Sequence, residues 1–128
     1  MKIMKRVQES IAIKVGAKGL LANGVEFGID TIQTLYDFFE QLYHRDWNIN
    51  ATVFMRMDGE NSFFTFSGEM LVIPVPAGSI GKELIFNSLG KGGTLTINLN
   101  DVNKITLNSS RSEIFILTKK KMIITIKF

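Results

Sequence analysis

The sequence predicts an α+β fold, in which an N-terminal strand and an amphipathic helix pack on a curved, mostly antiparallel sheet or partly open barrel of about six or seven strands. Three observations support this prediction. One N-terminal segment has the apolar period of a helix, the period changes to two after residue 50, and turn-forming sequences separate the alternating segments. We expect a single domain over residues 1–128, with a helix-containing region at 1–50 and a β-rich region at 51–128.

The strongest helix signal is IDTIQTLYDFFEQLYHRDW, residues 29–47. Asp30 is in position to cap its N-terminus, and Gln33 follows three residues later, as in a capping box. We expect the helix to end near Trp47. Its apolar residues recur with the i, i+3, i+4, i+7 spacing of one buried face, and they are Ile32, Leu35, Tyr36, Phe39, Leu42 and Tyr43.

Strand signals lie on both sides of this helix. Before it, ESIAIKV (9–15) alternates as a half-buried strand does, and VEFG (25–28) is compatible with a short strand. After it, Pro74 and Pro76 are expected to end their strand or to place it at a sheet edge. The strands expected there are TVFMRM (52–57), SFFTF (62–66), EMLVIPV (69–75), ELIFNSL (83–89), TLTINL (94–99), NKITLN (103–108), EIFILT (113–118) and MIITIKF (122–128).

The last strands resemble a known family of β domains. GTLTINLNDVNKITLN contains a strand and then an Asp101-Val102 step into a second strand, and a final hairpin with the basic turn KKK follows. This order resembles bacterial pleckstrin-homology-like and GRAM-type domains over residues 51–128. The resemblance implies a curved β fold. It does not imply phosphoinositide binding, because the turn of the first hairpin, DGEN, is acidic where lipid-binding members are basic.

Composition excludes several kinds of chemistry. The chain has 128 residues, of which 45% are hydrophobic and 21% charged, as in an ordinary globular protein. The absence of cysteine excludes disulfides, thiolate nucleophiles and cysteine-bound metals. The sequence has neither an apolar run of about 18 residues nor a signal-peptide pattern, so we expect a cytoplasmic protein without a transmembrane segment.

Charge is distributed unevenly along the chain. The net charge of +3 combines two basic ends, residues 1–18 and 61–128, with an acidic middle at 19–60. This pattern favours an anionic partner, and it equally allows the ends of one subunit to meet the middle of another.

Two glycine-lysine runs invite a nucleotide-binding interpretation, but both are incomplete. A P-loop needs a glycine five positions before its Gly-Lys pair and a hydroxyl residue after it. Around Lys82 these positions hold Pro76 and Glu83, and Gly92 follows Lys91. We therefore interpret PAGSIGK as a strand connection and GKGG as a hairpin turn, and we expect no cofactor.

No catalytic constellation is recognisable in the sequence. His44 is the only histidine, and a polar position at the helix end accounts for it. Asp58 and Glu60 flank a turn glycine, with Glu69 the next carboxylate, and acidic residues in a turn usually face solvent. We therefore predict that the protein is not an enzyme.

Basic residues form a second group of candidates. Arg111, Lys119, Lys120 and Lys121, with the N-terminal Lys2, Lys5 and Arg6, could bind an anionic ligand, nucleic acid or a membrane surface. Aromatic residues do not interleave with these cations as they do in nucleic-acid binders. The alternative interpretation of KKK is a solvated hairpin turn.

The hairpin 52–66 carries apolar side chains on both of its faces. Because side chains alternate along a strand, Phe54 and Arg56 share one face, while Phe63 and Phe64 point to opposite faces. The hairpin is therefore either core that is buried under the helix, or it leaves one face that contacts a second chain, because one helix covers only one face. We predict a non-enzymatic protein-binding or assembly protein that forms a homo-oligomer and acts through Phe54, Arg56, Phe63 and Phe64. The alternative is a module that binds an anion through its basic segments.

Overall fold

The structure, a computed structural model, describes residues 9–78, 81–90 and 92–128. These residues form eleven strands, one α-helix and a short 3-10 helix. The strands are β1 (Glu9–Ile11), β2 (Ile13–Val15), β3 (Gly19–Ala22), β4 (Val25–Gly28), β5 (Trp47–Met57), β6 (Phe63–Gly78), β7 (Gly81–Ser88), β8 (Thr94–Asn98), β9 (Val102–Asn108), β10 (Glu113–Thr118) and β11 (Met122–Lys127). The helix α1 is Ile32–His44, and the 3-10 helix is Leu99–Asp101.

Eight strands form the main sheet, which agrees with the predicted α+β class. Its order is β8-β7-β6-β5-β11-β10-β9, and all of these neighbours are antiparallel. The eighth strand, β1, pairs in parallel with the start of β5. Because β8 and β9 are the ends of this order, the described part of the sheet does not close into a barrel.

The N-terminal segment differs from the single predicted strand. ESIAIKV divides at Ala12, so that β1 joins the main sheet while β2 begins a separate three-stranded sheet of order β2-β3-β4. The predicted short strand VEFG is β4, at the edge of this small sheet. Alternation alone gives both strands the same pattern, because it carries no information about pairing partners.

One long strand replaces the two predicted over residues 62–75. β6 pairs with β5 through residues 63–70 and with β7 through residues 70–78. A straight strand of this length would extend about 50 Å, which exceeds the diameter of about 30 Å of a small domain. Gly68, at φ +123°, adopts a backbone conformation that L side chains rarely enter, close to the residue where the pairing changes partner.

The two prolines do not end β6, which continues to Gly78. Pro74 pairs opposite Leu84 of β7, and beyond Met70 the described residues give β6 no partner on the β5 side. Residues two apart direct their backbone nitrogens to the same side of a strand, so both prolines can face this open side. The edge position, one of the two expected outcomes, is the one observed.

Helix α1 begins one residue later than predicted and ends three residues earlier. Its cap is Thr31, whose hydroxyl accepts from the Thr34 N–H (3.2 Å), while the Thr34 hydroxyl accepts from the Thr31 N–H (3.1 Å). The predicted cap at Asp30 is therefore wrong, although its carboxylate accepts from the Thr34 hydroxyl (3.2 Å). At the other end, Asp46 takes a left-handed conformation at φ 58°, which ends the helix before Trp47.

The sheet wraps around α1. The helix contacts β5 and β6, which are inner strands of the sheet, and β9, which is an edge strand. The apolar face of the helix is wider than predicted, because Phe38 is buried beside Leu35, Tyr36, Phe39 and Leu42. The Phe38 ring lies 5.1 Å from Phe27 of the small sheet, in an edge-to-face arrangement. Phe39 makes the same kind of contact with Phe86 of β7 at 5.3 Å. The helix thereby joins the two sheets through one core.

Substitutions on the two sides of α1 should separate its buried face from its exposed face. Phe39→Ala is expected to lower the free energy of unfolding by about 3–5 kcal/mol, because Phe39 is fully buried. Gln41→Ala, on the exposed side, is expected to cost about 0.5 kcal/mol or less. Urea titrations of both variants measure the difference, and equal losses would contradict this orientation of the helix.

Two paired glycines of the small sheet offer a test of close backbone packing. A Cβ on Gly19 would lie 2.0 Å from the Phe27 carbonyl oxygen, whereas a Cβ on its cross-strand partner Gly28 meets nothing within 4 Å. Gly19→Ala should therefore displace β4 and cost about 3 kcal/mol. Gly28→Ala should be neutral or slightly stabilising, since alanine loses less chain entropy than glycine. Similar thermal melts for the two variants would disprove the close approach.

Candidate interaction surface

The β5–β6 hairpin is closed by the predicted DGEN turn. The Glu60 N–H donates to the Met57 carbonyl (3.1 Å), and Gly59 has φ +82°. The Asp58 N–H donates to the carbonyl of Lys121, in the turn between β10 and β11 (2.9 Å). The two turns are therefore neighbours at the same end of the sheet.

The strand register separates the hairpin into an inner and an outer face. On the inner face, Val53 lies opposite Phe66, and both are buried in the core. The next inner pair, Met55 and Phe64, lies nearer the turn, where burial is less complete. Phe64 is 41% exposed and its ring lies 5.5 Å from that of Phe66. The inner face therefore opens to solvent at the hairpin end.

The outer face carries an exposed pair of aromatic rings. Phe54 lies opposite Thr65, and Arg56 lies opposite Phe63. The Phe54 and Phe63 rings stack with centroids 4.8 Å apart and an interplanar angle of 24°. Phe63 is 60% exposed, Arg56 is exposed and Phe54 is half-buried. Three of the four predicted surface residues thus share this face, and Phe64 lies on the other.

The outer face continues onto β11 and β10, which the sequence did not reveal. Ile123 pairs with Arg56 on one side and Leu117 on the other, and Thr125 likewise lies between Phe54 and Phe115. These added side chains are half-buried. We call the two adjoining rows the outer band, and it consists of Phe63, Arg56, Ile123 and Leu117 in the first row and Thr65, Phe54, Thr125 and Phe115 in the second.

A cavity of about 270 Å³ lies at the hairpin end, next to the outer band. This volume is just below the range of about 300–1,000 Å³ that is usual for small-molecule sites, so it suits a single inserted side chain better than a cofactor. Arg56, Glu60 and Ser62 supply its polar groups. Its apolar lining consists of Met55, Met57, Phe63, Phe64 and Met122.

The structure does not bring the predicted basic residues together. Lys119, Lys120 and Lys121 are exposed in the turn after β10, whereas Arg111 is exposed in the turn before it. Since β10 has six residues, the two turns are about 20 Å apart. Lys2, Lys5 and Arg6 lie outside the described residues. The three lysines also adjoin acidic segments, because the Lys119 N–H donates to the Asp101 carbonyl (2.7 Å).

The glycine-lysine runs both lie in connections between strands. Gly78 pairs with Gly81 in the β6–β7 hairpin, whose residues 79–80 are outside the described residues. The Lys82 ammonium donates to the Gln33 side-chain oxygen (3.3 Å) and lies 5.1 Å from the centre of the Tyr36 ring. Lys82 therefore joins β7 to α1. The second run connects β7 to β8, and its Lys91 lies outside the described residues.

The remaining titratable candidates are dispersed. His44 is exposed in the last turn of α1, as the sequence predicted, with its ring 6.0 Å from that of Tyr43. Glu69 accepts from the Asn48 side-chain amide (3.0 Å), far along β6 from Asp58 and Glu60 in the hairpin turn. Within residues 9–78, 81–90 and 92–128, no three histidine, aspartate or glutamate side chains are grouped as a metal site would require.

Comparisons with known proteins identify no relative. No family model matches this sequence, and neither a curated protein nor a solved structure matches it. The resemblance of residues 51–128 to pleckstrin-homology-like and GRAM-type domains therefore stays a prediction. In the part of the chain that the structure describes, no helix has the length and apolarity needed to cross a membrane.

The incomplete P-loop pattern around Lys82 leads to a prediction about nucleotides. Lys82→Ala should leave ATP and GTP binding unchanged, because Pro76 and Glu83 occupy positions where a P-loop needs glycine and a hydroxyl. Isothermal titration calorimetry on the wild type and the variant provides the measurement. Micromolar nucleotide binding that disappears in the variant would contradict it.

The buried Tyr36 hydroxyl leads to a prediction about alkaline pH. It has no hydrogen-bond partner among the described residues, and burial raises the pKa of this phenol, with the Glu40 and Asp37 carboxylates raising it further. A raised pKa means that Tyr36 ionises more readily in the unfolded chain, so its contribution to stability is present below about pH 10 and is lost as the pH rises further. Tyr36→Phe should remove this part of the alkaline loss and should not destabilise the protein at pH 7. Denaturant melts from pH 8 to 11 compare the two proteins, and parallel stability profiles would contradict the prediction.

Proposed function

We propose that this chain is a non-enzymatic protein-binding protein, an adaptor, inhibitor or assembly subunit, whose partner covers the outer face of the β5–β6 hairpin. One observation carries the proposal: the Phe63 ring is 60% exposed while it stacks on Phe54. Scattered single apolar residues are ordinary on a protein surface, but this pair shares its face with the apolar side chains of Ile123, Leu117 and Phe115.

The energetics favour a protein partner for this face. Fully burying a phenylalanine side chain stabilises a complex by about 1.5–3 kcal/mol. Arginine and aromatic residues are enriched where binding energy is concentrated, and Arg56 lies directly opposite Phe63 on this face. The hairpin therefore offers an aromatic anchor with a directional hydrogen-bond donor beside it.

The adjacent cavity supports the same function. Its methionines, Met55, Met57 and Met122, are flexible and polarisable, and such side chains adapt to an inserted group. A volume near 270 Å³ suits one apolar side chain of a partner. Because Met55, Phe64 and Met122 lie on the inner face, a partner of the outer band would reach this cavity around the hairpin end.

The anion-binding alternative has less support. Arg111 and the lysines of the β10–β11 turn lie at opposite ends of β10, so they do not form one site. Asp58 and Glu60 occupy the turn beside Lys121, and their charges weaken the local positive field. We therefore do not propose a separate anion site.

Charge substitutions test the proposed surface. Phe63→Asp and Phe54→Asp are expected to leave the fold intact, because both side chains lie outside the core, and to abolish capture of a partner or to dissociate an oligomer. Phe66→Asp should unfold the protein, because Phe66 is only 5% exposed and an unpaired buried carboxylate is costly.

Thermal melts, light scattering and pull-downs with mass spectrometry measure these effects, with Gln41→Ala as the neutral control. A wild type that is monomeric and captures nothing would sink the proposal. So would partner capture that Phe63→Asp leaves unchanged.

A further inference from the structure

The outer band has a shape that restricts what can cover it. It is two residues deep along the strands and four strands wide, from β6 across β5 and β11 to β10. With about 4.8 Å between strands, the band is about 14 Å wide. The row beyond Thr65 and Phe54 is polar, with Ser67, Thr52, Lys127 and Glu113. The apolar surface is thus a band that runs across the strands rather than along them.

The apolar side chains of the outer band are not part of the hydrophobic core. Its apolar residues are absent from the core cluster, whereas Met55, Met122 and Ile105 on the inner face pack against that cluster. Among the described elements, the extensive contacts of β5, β6, β10 and β11 are with strands of the same sheet and, for β5 and β6, with α1. Helix α1 packs on the inner face, so within residues 9–78, 81–90 and 92–128 no helix covers the outer band.

The charged residues in the two rows of the band, and at their end on β9, are basic. Arg56 lies within its first row, and Lys104, the cross-strand neighbour of Leu117, ends that row on β9. Both are exposed. The nearby carboxylates lie outside the two rows: Asp58 and Glu60 belong to the hairpin turn, and Glu113, which is buried, pairs with Lys127 in the next row.

Deepening the proposed function, on which this inference rests, we infer that the partner element is an acidic amphipathic helix that lies across the outer band. Apolar side chains on one side of the helix would contact Phe54, Phe63 and Ile123, while flanking aspartates or glutamates would reach Arg56 and Lys104. At 1.5 Å per residue, a width of 14 Å corresponds to about ten residues, or three turns. Apolar residues at i, i+3, i+4 and i+7 would provide the contacts over this length.

Charge complementarity disfavours the other occupants. A second copy that presented the same band would bring Arg56 and Lys104 against each other's cations. Nucleic-acid bases stack on aromatic rings, but the β11 and β10 part of the first row is aliphatic, with Ile123 and Leu117.

Selection from a random-peptide display library, with the full chain as bait, tests the inference. The library peptides should be long enough for three helical turns. Enriched peptides are expected to carry a net negative charge and the i, i+3, i+4, i+7 apolar pattern. A synthetic peptide of the enriched consensus should gain helical circular dichroism on binding, and its affinity should fall as salt rises.

Matched variants assign the two contributions to the band. Phe54→Ser should lower the affinity for the consensus peptide by at least about tenfold, as expected from the loss of a buried aromatic side chain. Arg56→Glu should lower this affinity about tenfold at low salt and by a smaller factor at high salt. Lys14→Glu makes the same charge change on the exposed surface of β2 and should have no effect.

The remaining outcomes overturn the inference in distinguishable ways. Enrichment of neutral or basic peptides would contradict the acidic helix but not the proposed surface. Equal effects of Arg56→Glu and Lys14→Glu on peptide affinity would do the same. An oligomer that dissociates with Phe63→Asp would identify a second copy as the occupant. Binding of anionic vesicles or single-stranded oligonucleotides that Phe54→Ser abolishes would identify a membrane or nucleic acid. No enrichment, with Phe63→Asp also without effect on partner capture, would remove the proposed function as well.

Discussion

The change of pairing partner along β6 determines the shape of this protein. The strand leaves β5 and joins β7 at Met70, two residues after the bend at Gly68. This change lets a single sheet curve around α1, so that Phe39 contacts Phe86 of β7 while the same helix contacts β5 and β9. Without it, β7 and β8 would extend away from the helix, and the core would lose one of its walls.

The same change of partner explains where the sheet is exposed. Because α1 occupies the concave side, its apolar face helps to bury the inner side chains of β5 and β6, including Val53 and Phe66. The convex side has no equivalent helix among the described residues. Exposure at the hairpin end follows from this asymmetry, since Phe54 and Phe63 alternate with inner residues along strands that have only one covered face.

The sequence predicted the positions of the helix and the strands better than it predicted which strands pair with each other. The apolar period gave the phase of α1 correctly for Phe39 and Gln41, because burial on one helix face is a local signal. The cap was misplaced because Asp30 and Thr31 are both good N-cap residues. The division of residues 9–15 and the continuity of β6 depend on distant pairing, which alternation does not encode.

For the candidate surface, the sequence identified its aromatic part. The contributions of β11 and β10, with Ile123 and Leu117, required the strand register.

The outer band is not a consequence of strand composition alone. The same four strands present a polar outward row one step further from the hairpin turn, where Thr52 and Ser67 lie on the outer face. A surface selected only for solubility could continue this polar pattern to the turn, and the hydrogen bonds of the sheet would not change. Instead, five of the eight outward positions in the two rows are apolar, and the aromatic pair stacks without entering the core. Exposed apolar surface costs free energy in water, whereas its burial by a partner returns that free energy as affinity. The change from Thr52 and Ser67 to the stacked pair of Phe54 and Phe63 is therefore the physical reason to assign binding to this end of the sheet.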